Sequence, residues 1–262
     1  YRIYKTITTK FEKANFVDNG ITSSGNNYDS YNDKYEYYVV NGKTNKIDKI
    51  SLRPKSIKTV FGDDKDKTTK FLADNSGNIN DDYLKKYQLF IQLDYAPYGW
   101  RQEAADAFER YITAGRGGWI GFHHATLLGE FDGYPMWKWF SGFMGGIRFT
   151  NYIPGFADGK VTVEDKNHPV MKGITSPFII NKEEWYTYDK SPRPNVHVLA
   201  SVDESSYVPA SDKKMGDHPV IWTNEHMKAR NIYIFMGHGP ALLDNPVYAK
   251  LVRNAIFWAA GQ

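Results

Sequence analysis

Two adjacent histidines at the end of a short apolar run have the clearest chemical potential in this sequence. His123 and His124 directly follow residues 119–122, and the small residues Ala125 and Thr126 come next. An apolar run of this length predicts a buried strand. A corner after such a strand holds its side chain at the sheet edge where α/β proteins bind ligands. An imidazole there can bind a metal, accept a proton or hydrogen-bond a hydroxyl. The alternative to a functional role is a structural one, in which both imidazoles are buried and donate hydrogen bonds to backbone carbonyls.

Two other segments offer partners for this corner. His238 follows a second apolar run, and the glycine on each side of it would let a ligand approach the backbone. Glu184 is followed by Trp185 and Tyr186, and a carboxylate among aromatic rings is suited to a raised pKa and therefore to acid or base chemistry. Glu183 is the weaker candidate, because alternation along an extended strand would point its side chain to the opposite face.

The remaining histidines carry no functional prediction. His168 and His218 each precede a proline in a turn-like sequence, which predicts structural roles in loops through backbone hydrogen bonds. His197 lies within a predicted strand and His226 in a polar loop.

The segments around the candidate residues follow the alternating strand–helix pattern of an α/β fold. Residues 101–114 form a predicted helix with apolar residues on one face, and the strands before and after it, at 88–93 and 119–122, are predicted to be parallel because their connections are short. Further predicted strands are 1–8, 35–40, 46–52, 160–164, 177–181, 196–202, 218–223 and 231–236. The sequence therefore predicts one domain, residues 1–262, built as an α/β three-layer sandwich with a mostly parallel central sheet.

The composition excludes several classes of function. The chain has 262 residues and no cysteine, which excludes disulfides, thiolate metal sites and a cysteine nucleophile. Its formal net charge of +3 is too small to indicate a nucleic-acid partner, and no apolar run reaches the ~18 residues that span a bilayer. A chain without thiols fits the cytoplasm as well as the periplasm or secretion, so the compartment stays open, as does the oligomeric state.

Eight segments resemble, in order and spacing, those of the ThuA-like (trehalose-utilisation) family. They are GGWIGFHHAT, FMGGIRF, VTVEDKNHPVMKGI, EEWYTYD, NVHVLASVDESSY, DHPVIWTNE, NIYIFMGHG and NAIFWAAG. Residues 83–262 match clearly, whereas 1–82 are divergent and rich in loops. The resemblance implies a flavodoxin-like fold of the class I glutamine amidotransferase type and a role in carbohydrate catabolism.

Two departures from these relatives bear on the chemistry. In class I amidotransferases the strand corner holds a thiolate, but here His123 falls at the nucleophile position, so cysteine-dependent glutaminase activity is excluded. Members of the family usually have a histidine three residues after FMGGIRF, where this chain has Tyr152. We therefore include Tyr152 among the substrate-binding candidates and give it no role as a metal ligand.

These observations predict a protein that acts on a small sugar or keto-sugar derivative, by hydrolysis, isomerisation or elimination. The predicted catalytic residues are Glu184, His123 and His238, and the predicted substrate-binding residues are His124, Trp185, Tyr186 and Tyr152. Two alternatives stay open: a divalent metal held by the three catalytic side chains, or a metal-free pocket in which they hydrogen-bond sugar hydroxyls. A non-catalytic sugar-binding or regulatory module on the same scaffold is the alternative to an enzyme.

Overall fold

The part of the chain that the computed structural model describes contains twelve strands in two sheets and four α-helices. The described residues are 16–17, 36–41, 46–51, 79–93, 96–97, 100–130 and 135–261. The strands are β1 (Phe16–Val17), β2 (Glu36–Asn41), β3 (Lys46–Ser51), β4 (Leu89–Gln92), β5 (Gly118–Phe122), β6 (Phe149–Tyr152), β7 (Ala157–Val163), β8 (Phe178–Glu183), β9 (Tyr186–Tyr188), β10 (His197–Val208), β11 (Pro219–Thr223) and β12 (Asn231–Ile234). The α-helices are α1 (Asp81–Leu84), α2 (Gln102–Thr113), α3 (Lys138–Phe143) and α4 (Pro246–Ala259).

The large sheet has ten strands in the order β1-β3-β2-β4-β5-β12-β11-β10-β7-β8. The α/β class is confirmed, but the prediction of a mostly parallel sheet is wrong. Three neighbouring pairs, β1/β3, β4/β5 and β5/β12, are parallel, and the other six are antiparallel. The reason lies in the connections, because a parallel crossover needs a long link that is usually a helix, and in the described residues no α-helix lies between β6 and β12.

The parallel centre of the sheet is the unit β4–α2–β5, as the sequence predicts. β4 and β5 pair in parallel, and α2 buries Ala104, Phe108, Tyr111 and Ile112 on one face. Gly115 follows the helix with a φ of +69°, the left-handed conformation that commonly ends helices. This compact unit fixes the position of the corner that follows β5.

Helices cover β5 on both of its faces. The Trp119 ring lies 4.9 Å from the ring of Phe143 and 6.1 Å from that of Phe140, both on α3. The neighbouring Gly118 faces α4, since a Cβ there would lie 2.0 Å from the carbonyl oxygen of Ala259. β5 is therefore buried along its whole length, and its end is held firmly in the core.

Most of the other strands predicted from the sequence are present in the structure. The strands predicted at 35–40 and 46–52 correspond to the antiparallel pair β2 and β3, whereas the strand predicted at 1–8 lies outside the described residues. The sequence did not predict the separate two-stranded sheet of β6 and β9. Among the described residues, no helix has the length and apolar character needed to cross a membrane.

Candidate functional site

The corner after β5 is strained and held in place by hydroxyl groups. His123 has a φ of +32° and begins a 3₁₀ turn, His123–Thr126. A non-glycine residue in this region costs roughly 1–3 kcal/mol. The His123 carbonyl oxygen accepts hydrogen bonds from the Tyr233 hydroxyl at 2.8 Å and from Thr126 Oγ1 at 3.0 Å. Thr126 Oγ1 also lies 2.7 Å from the Tyr188 hydroxyl, so a buried polar network holds the strained corner.

The His123 imidazole has a defined orientation. Its Nδ1 lies 3.2 Å from the carbonyl oxygen of Phe235, and because a carbonyl only accepts hydrogen bonds, Nδ1 must carry the proton. In the neutral ring the lone pair is then on Nε2. Nε2 faces Nδ1 of His238 at 3.1 Å and Oε2 of Glu184 at 3.4 Å. Nε2 is therefore the ring atom that His123 presents to the other two predicted catalytic residues.

Glu184 completes this triangle and is the member most open to solvent. Its Oε2 lies 3.2 Å from Nδ1 of His238, and its side chain is 22% exposed, against 9% for His238 and 1% for His123. Burial raises the pKa of Glu184, but hydrogen bonds and charge from the two histidines outweigh burial and hold the pKa well below its usual range. The expectation of a raised pKa is therefore wrong, and Glu184 is an ionised carboxylate.

Glu183 lies beneath the same histidine, although alternation predicted that it would point away. Lys182 has a φ of +52°, and the pairing of β7 with β8 gains one extra residue of β8 between Ile180 and Glu183. Such a β-bulge shifts the alternation of side chains. It turns Glu183 inward, where it is fully buried and Oε1 lies 3.4 Å from Nδ1 of His123.

The Glu183 carboxyl joins three segments of the site. Its Oε1 accepts the backbone N–H of Glu184, and its Oε2 accepts that of Gly237, each at 2.9 Å. Burial raises the pKa of Glu183, against the lowering effect of His123 and the two N–H groups. Glu183 is a positioning residue that sequence reasoning underrated, because a bulge leaves no mark in the hydrophobic pattern.

His124 adds a further imidazole to the site. Its ring centroid lies 4.7 Å from that of His123 and 5.7 Å from that of His238. Burial first, and then the neighbouring histidines, hold the pKa of His124 well below its usual value, so its imidazole is neutral near pH 7. His123, His124, Glu184 and His238 each offer a ligand atom, and these four atoms lie within 4.8 Å of one another.

The predicted aromatic residues separate into buried and exposed rings. Trp185 is fully buried, stacks on Phe235 at 5.3 Å, and donates Nε1–H to the Ala157 carbonyl oxygen. Its ring therefore supports the site from behind and offers no face to a ligand. Tyr186 is also buried, with its ring centroid 4.4 Å from that of His123.

Two other rings are exposed at this end of the molecule. Tyr152 is 49% exposed and pairs with Tyr186 across the small sheet. Phe156, which sequence reasoning missed, is 48% exposed, and its ring centroid lies 4.9 Å from that of His238. Phe156 lies in the link between β6 and β7, where neither periodicity nor spacing singles it out.

The other histidines lie apart from this cluster. His168 accepts the backbone N–H of Val170 at 3.3 Å and so caps a turn. His218 is buried against Glu204, with Nδ1 2.9 Å from Oε1. His197 lies between Asp165 and Glu225, at 3.2 and 2.7 Å.

Comparison with known proteins identifies relatives of this chain. A family model for ThuA, described as trehalose utilisation, matches residues 38–259. A solved structure from Bacteroides uniformis, described as ThuA-like, is 32% identical with a TM-score of 0.61, and the alignment covers 70% of this chain and 74% of that one. A second ThuA-like structure, from Parabacteroides merdae, is 22% identical with a TM-score of 0.51, covers 67% and 71% of the two chains, and shows a shared fold. No match was found among the curated proteins.

Proposed function

Since the chain belongs to the ThuA family, whose model describes trehalose utilisation, we propose that it is an enzyme of carbohydrate utilisation that acts on a small sugar or keto-sugar derivative. The observation that carries this proposal is the meeting of His123, Glu184 and His238, which come from three separate segments yet place Nε2, Oε2 and Nδ1 within 3.1–3.4 Å of one another. Convergence of polar groups from distant segments is the usual signature of an active site.

The ionised state of Glu184 favours base chemistry. A carboxylate whose pKa is held low has no proton to donate near pH 7. The histidine contacts that lower its pKa also weaken it as a base, so in this proposal it takes the substrate proton once the bound sugar has displaced those contacts. Isomerisation and elimination of a keto-sugar both begin with removal of a proton from the carbon beside the carbonyl. In this proposal that proton passes to Glu184 while His123 and His238 bind the sugar oxygens.

The position of Glu183 disfavours a two-carboxylate glycosidase mechanism. Such enzymes place two carboxyl groups on either side of the glycosidic bond, about 5–9.5 Å apart, with one of them as the acid. Glu183 is fully buried and bonded to two backbone N–H groups, so it cannot lie across a substrate from Glu184. We therefore favour isomerisation or elimination over glycoside hydrolysis by paired carboxylates.

Exposed aromatic rings supply a surface for the sugar. In the proposal Phe156, next to His238, and Tyr152 pack against the apolar face of the ring, as aromatic side chains commonly do when their faces are accessible. Their exposures of 48% and 49% leave room for this contact. His124 completes the binding surface, and the buried rings of Trp185 and Tyr186 are assigned to packing behind it.

We also propose that the chain is a single domain with the layered scaffold of class I glutamine amidotransferases. The helices on both faces of β5 support a three-layer arrangement. The strained corner at His123 supports a correspondence with the position that holds a thiol in those enzymes. The imidazole at that position would replace thiol attack by binding and proton transfer.

A non-catalytic sugar-binding module is the second candidate, because aromatic rings and imidazoles would bind a sugar without transforming it.

The experiment that separates the two candidates incubates the purified chain with disaccharides and their keto derivatives, with and without divalent metal, and follows both binding and product by NMR. Turnover that Glu184→Gln abolishes while binding remains supports the enzyme. Binding without turnover that survives Glu184→Gln supports the module, and turnover unaffected by this change contradicts the proposed site.

A further inference from the structure

Four polar side chains that follow β5, β8 and β12 offer donor atoms of the kind that bind metal ions. His123, His124, Glu184 and His238 offer three imidazole nitrogens and one carboxylate oxygen, all within 4.8 Å. We propose that this cluster binds one divalent ion of the late first-row transition metals, for which Zn²⁺ is the representative probe. The inference concerns the same site as the proposed function and deepens it, but its test does not require a sugar.

The distances between the donor atoms fit an ion at their centre. For bonds of about 2.0–2.1 Å to nitrogen and oxygen, a tetrahedral site has ligand atoms about 3.3–3.4 Å apart. The separations between His123 Nε2, His238 Nδ1 and Glu184 Oε2 are 3.1, 3.2 and 3.4 Å. Three of the four atoms are thus already close to the spacing that coordination requires.

The groups around His123 support coordination through Nε2. A metal-bound histidine almost always donates its other N–H to a carbonyl or carboxylate, which fixes the ring and its tautomer. Nδ1 of His123 lies 3.2 Å from the Phe235 carbonyl oxygen and 3.4 Å from Oε1 of Glu183. The ring is therefore oriented before any ion arrives, and the second carboxyl group sits beneath the site.

The chemistry of the donors selects the class of ion. Imidazole nitrogen suits Zn²⁺, Cu²⁺, Ni²⁺ and Fe²⁺, whereas Mg²⁺ and Ca²⁺ prefer oxygen ligands throughout. Three nitrogens and one oxygen therefore favour the first group. Glu184, which contacts both histidines through Oε2, would hold the ion through that oxygen, and a bound ion would supply polarisation of a substrate carbonyl.

The experiment measures metal uptake directly. The purified chain is treated with a chelator, dialysed, and titrated with Zn²⁺ by calorimetry, with elemental analysis of the recovered protein. We expect one ion per chain, and a loss of affinity of more than about 100-fold in Glu184→Gln, His238→Gln and His124→Gln. Glu183→Gln, which alters the support of His123, should lose about 10–100-fold. Circular dichroism and thermal melting confirm that each variant is folded.

Two controls separate this site from surface binding. His197→Gln removes the histidine that lies between Asp165 and Glu225, and His226→Gln removes an exposed histidine; both should bind Zn²⁺ as the unmodified chain does. Mg²⁺ at the same concentration should not compete. Uptake well below one ion per chain, uptake that survives both Glu184→Gln and His238→Gln, or uptake lost in His197→Gln would overturn the inference.

The two proposals fail in different ways. A chelator-treated chain that takes up no Zn²⁺ and still transforms the sugar at full rate contradicts the metal site and leaves the proposed function standing. One tightly bound Zn²⁺ in a chain that neither binds nor transforms sugars supports the metal site and contradicts the proposed function.

Discussion

Nε2 of His123 and Nδ1 of His238 lie 3.1 Å apart, although 115 positions separate the two residues in the chain. Both follow neighbouring parallel strands, β5 and β12, whose carboxyl ends meet at one edge of the sheet. Since Nδ1 of His123 already donates to the Phe235 carbonyl, Nε2 is the atom that faces the second ring. A substrate oxygen or an ion entering this space meets both nitrogens and the Glu184 carboxylate together.

The first prediction concerns the hydroxyl that holds the His123 corner. Tyr233→Phe removes one of the two donors to the His123 carbonyl oxygen and one partner of Thr126 Oγ1. We expect a loss of about 0.5–1.5 kcal/mol in the free energy of unfolding, because buried hydrogen bonds are lost while the carbonyl oxygen keeps Thr126 Oγ1 as a donor. Chemical denaturation of the variant and of the unmodified chain measures this difference in the free energy of unfolding. An unchanged stability would show that the network does not hold the strained corner.

The second prediction tests the exposed aromatic surface. Phe156→Ala should raise KM for the sugar about 2–10-fold, the effect of losing an aromatic contact of roughly 0.5–1.5 kcal/mol, and should leave kcat unchanged. The side chain is 48% exposed, so stability should change little. Val208→Ala, at another exposed apolar position, is the matched control. A fall in kcat with KM unchanged would contradict a role in binding.

The third prediction concerns packing behind the corner. A Cβ at Gly121 would lie 2.1 Å from the ring of Trp119, which is buried. Gly121→Ala should therefore cost about 1–3 kcal/mol of stability, as overpacking of a core does. Gly142→Ala is the control, since nothing lies within 4 Å of its Cβ position and alanine favours a helix by about 0.5–1 kcal/mol over glycine. Equal thermal stability of the two variants would contradict this packing.

The fourth prediction uses the ion-pair network of Arg193. Its guanidinium bonds to both oxygens of Glu164 and of Asp217 at 2.7–2.9 Å, and these bonds lower the pKa of each carboxyl below its ordinary value of 4.5 or 3.8. A lowered pKa in the folded state stabilises the protein above those values, and this stabilisation is lost as the pH falls through the folded pKa.

Arg193→Ala should therefore be less stable than the unmodified chain near pH 7, by about 1 kcal/mol after screening of these partly exposed groups. This difference in the free energy of unfolding should shrink as the pH is lowered below about 4, where the carboxylates take up protons. Urea denaturation of both chains across this pH range measures the difference. A difference that stays constant with pH would show that the network does not act through these charges.

The sequence predicts the part of the fold whose contacts are local. The 3.6-residue periodicity of α2 and the apolar runs at β4 and β5 each carry their own signal, so this unit is confirmed. The directions of β7, β8, β10 and β11 depend on how non-helical links cross the sheet. Periodicity carries no information about those crossings, and the parallel assignment failed there.

Within the site, the sequence places the histidine corners better than the glutamates. His123 and His238 each follow an apolar run beside glycine, and this pattern is visible in the chain. The inward turn of Glu183 depends on the bulge at Lys182, which alternation alone cannot reveal. The low pKa of Glu184 likewise arises from contacts with histidines far away in sequence, whereas its neighbouring aromatic residues predicted the opposite shift.

The most direct test of the central claim compares the turnover of a keto-sugar by the unmodified chain and by Glu184→Gln. The variant keeps the shape of the side chain but cannot be an anionic base, so we predict a fall in kcat of about 10²–10⁴-fold in a chain that circular dichroism shows to be folded. Glu103→Gln, at an exposed position on α2, should retain full activity. A Glu184→Gln chain that turns over the sugar at the unmodified rate would contradict the assignment of this cluster as the active site.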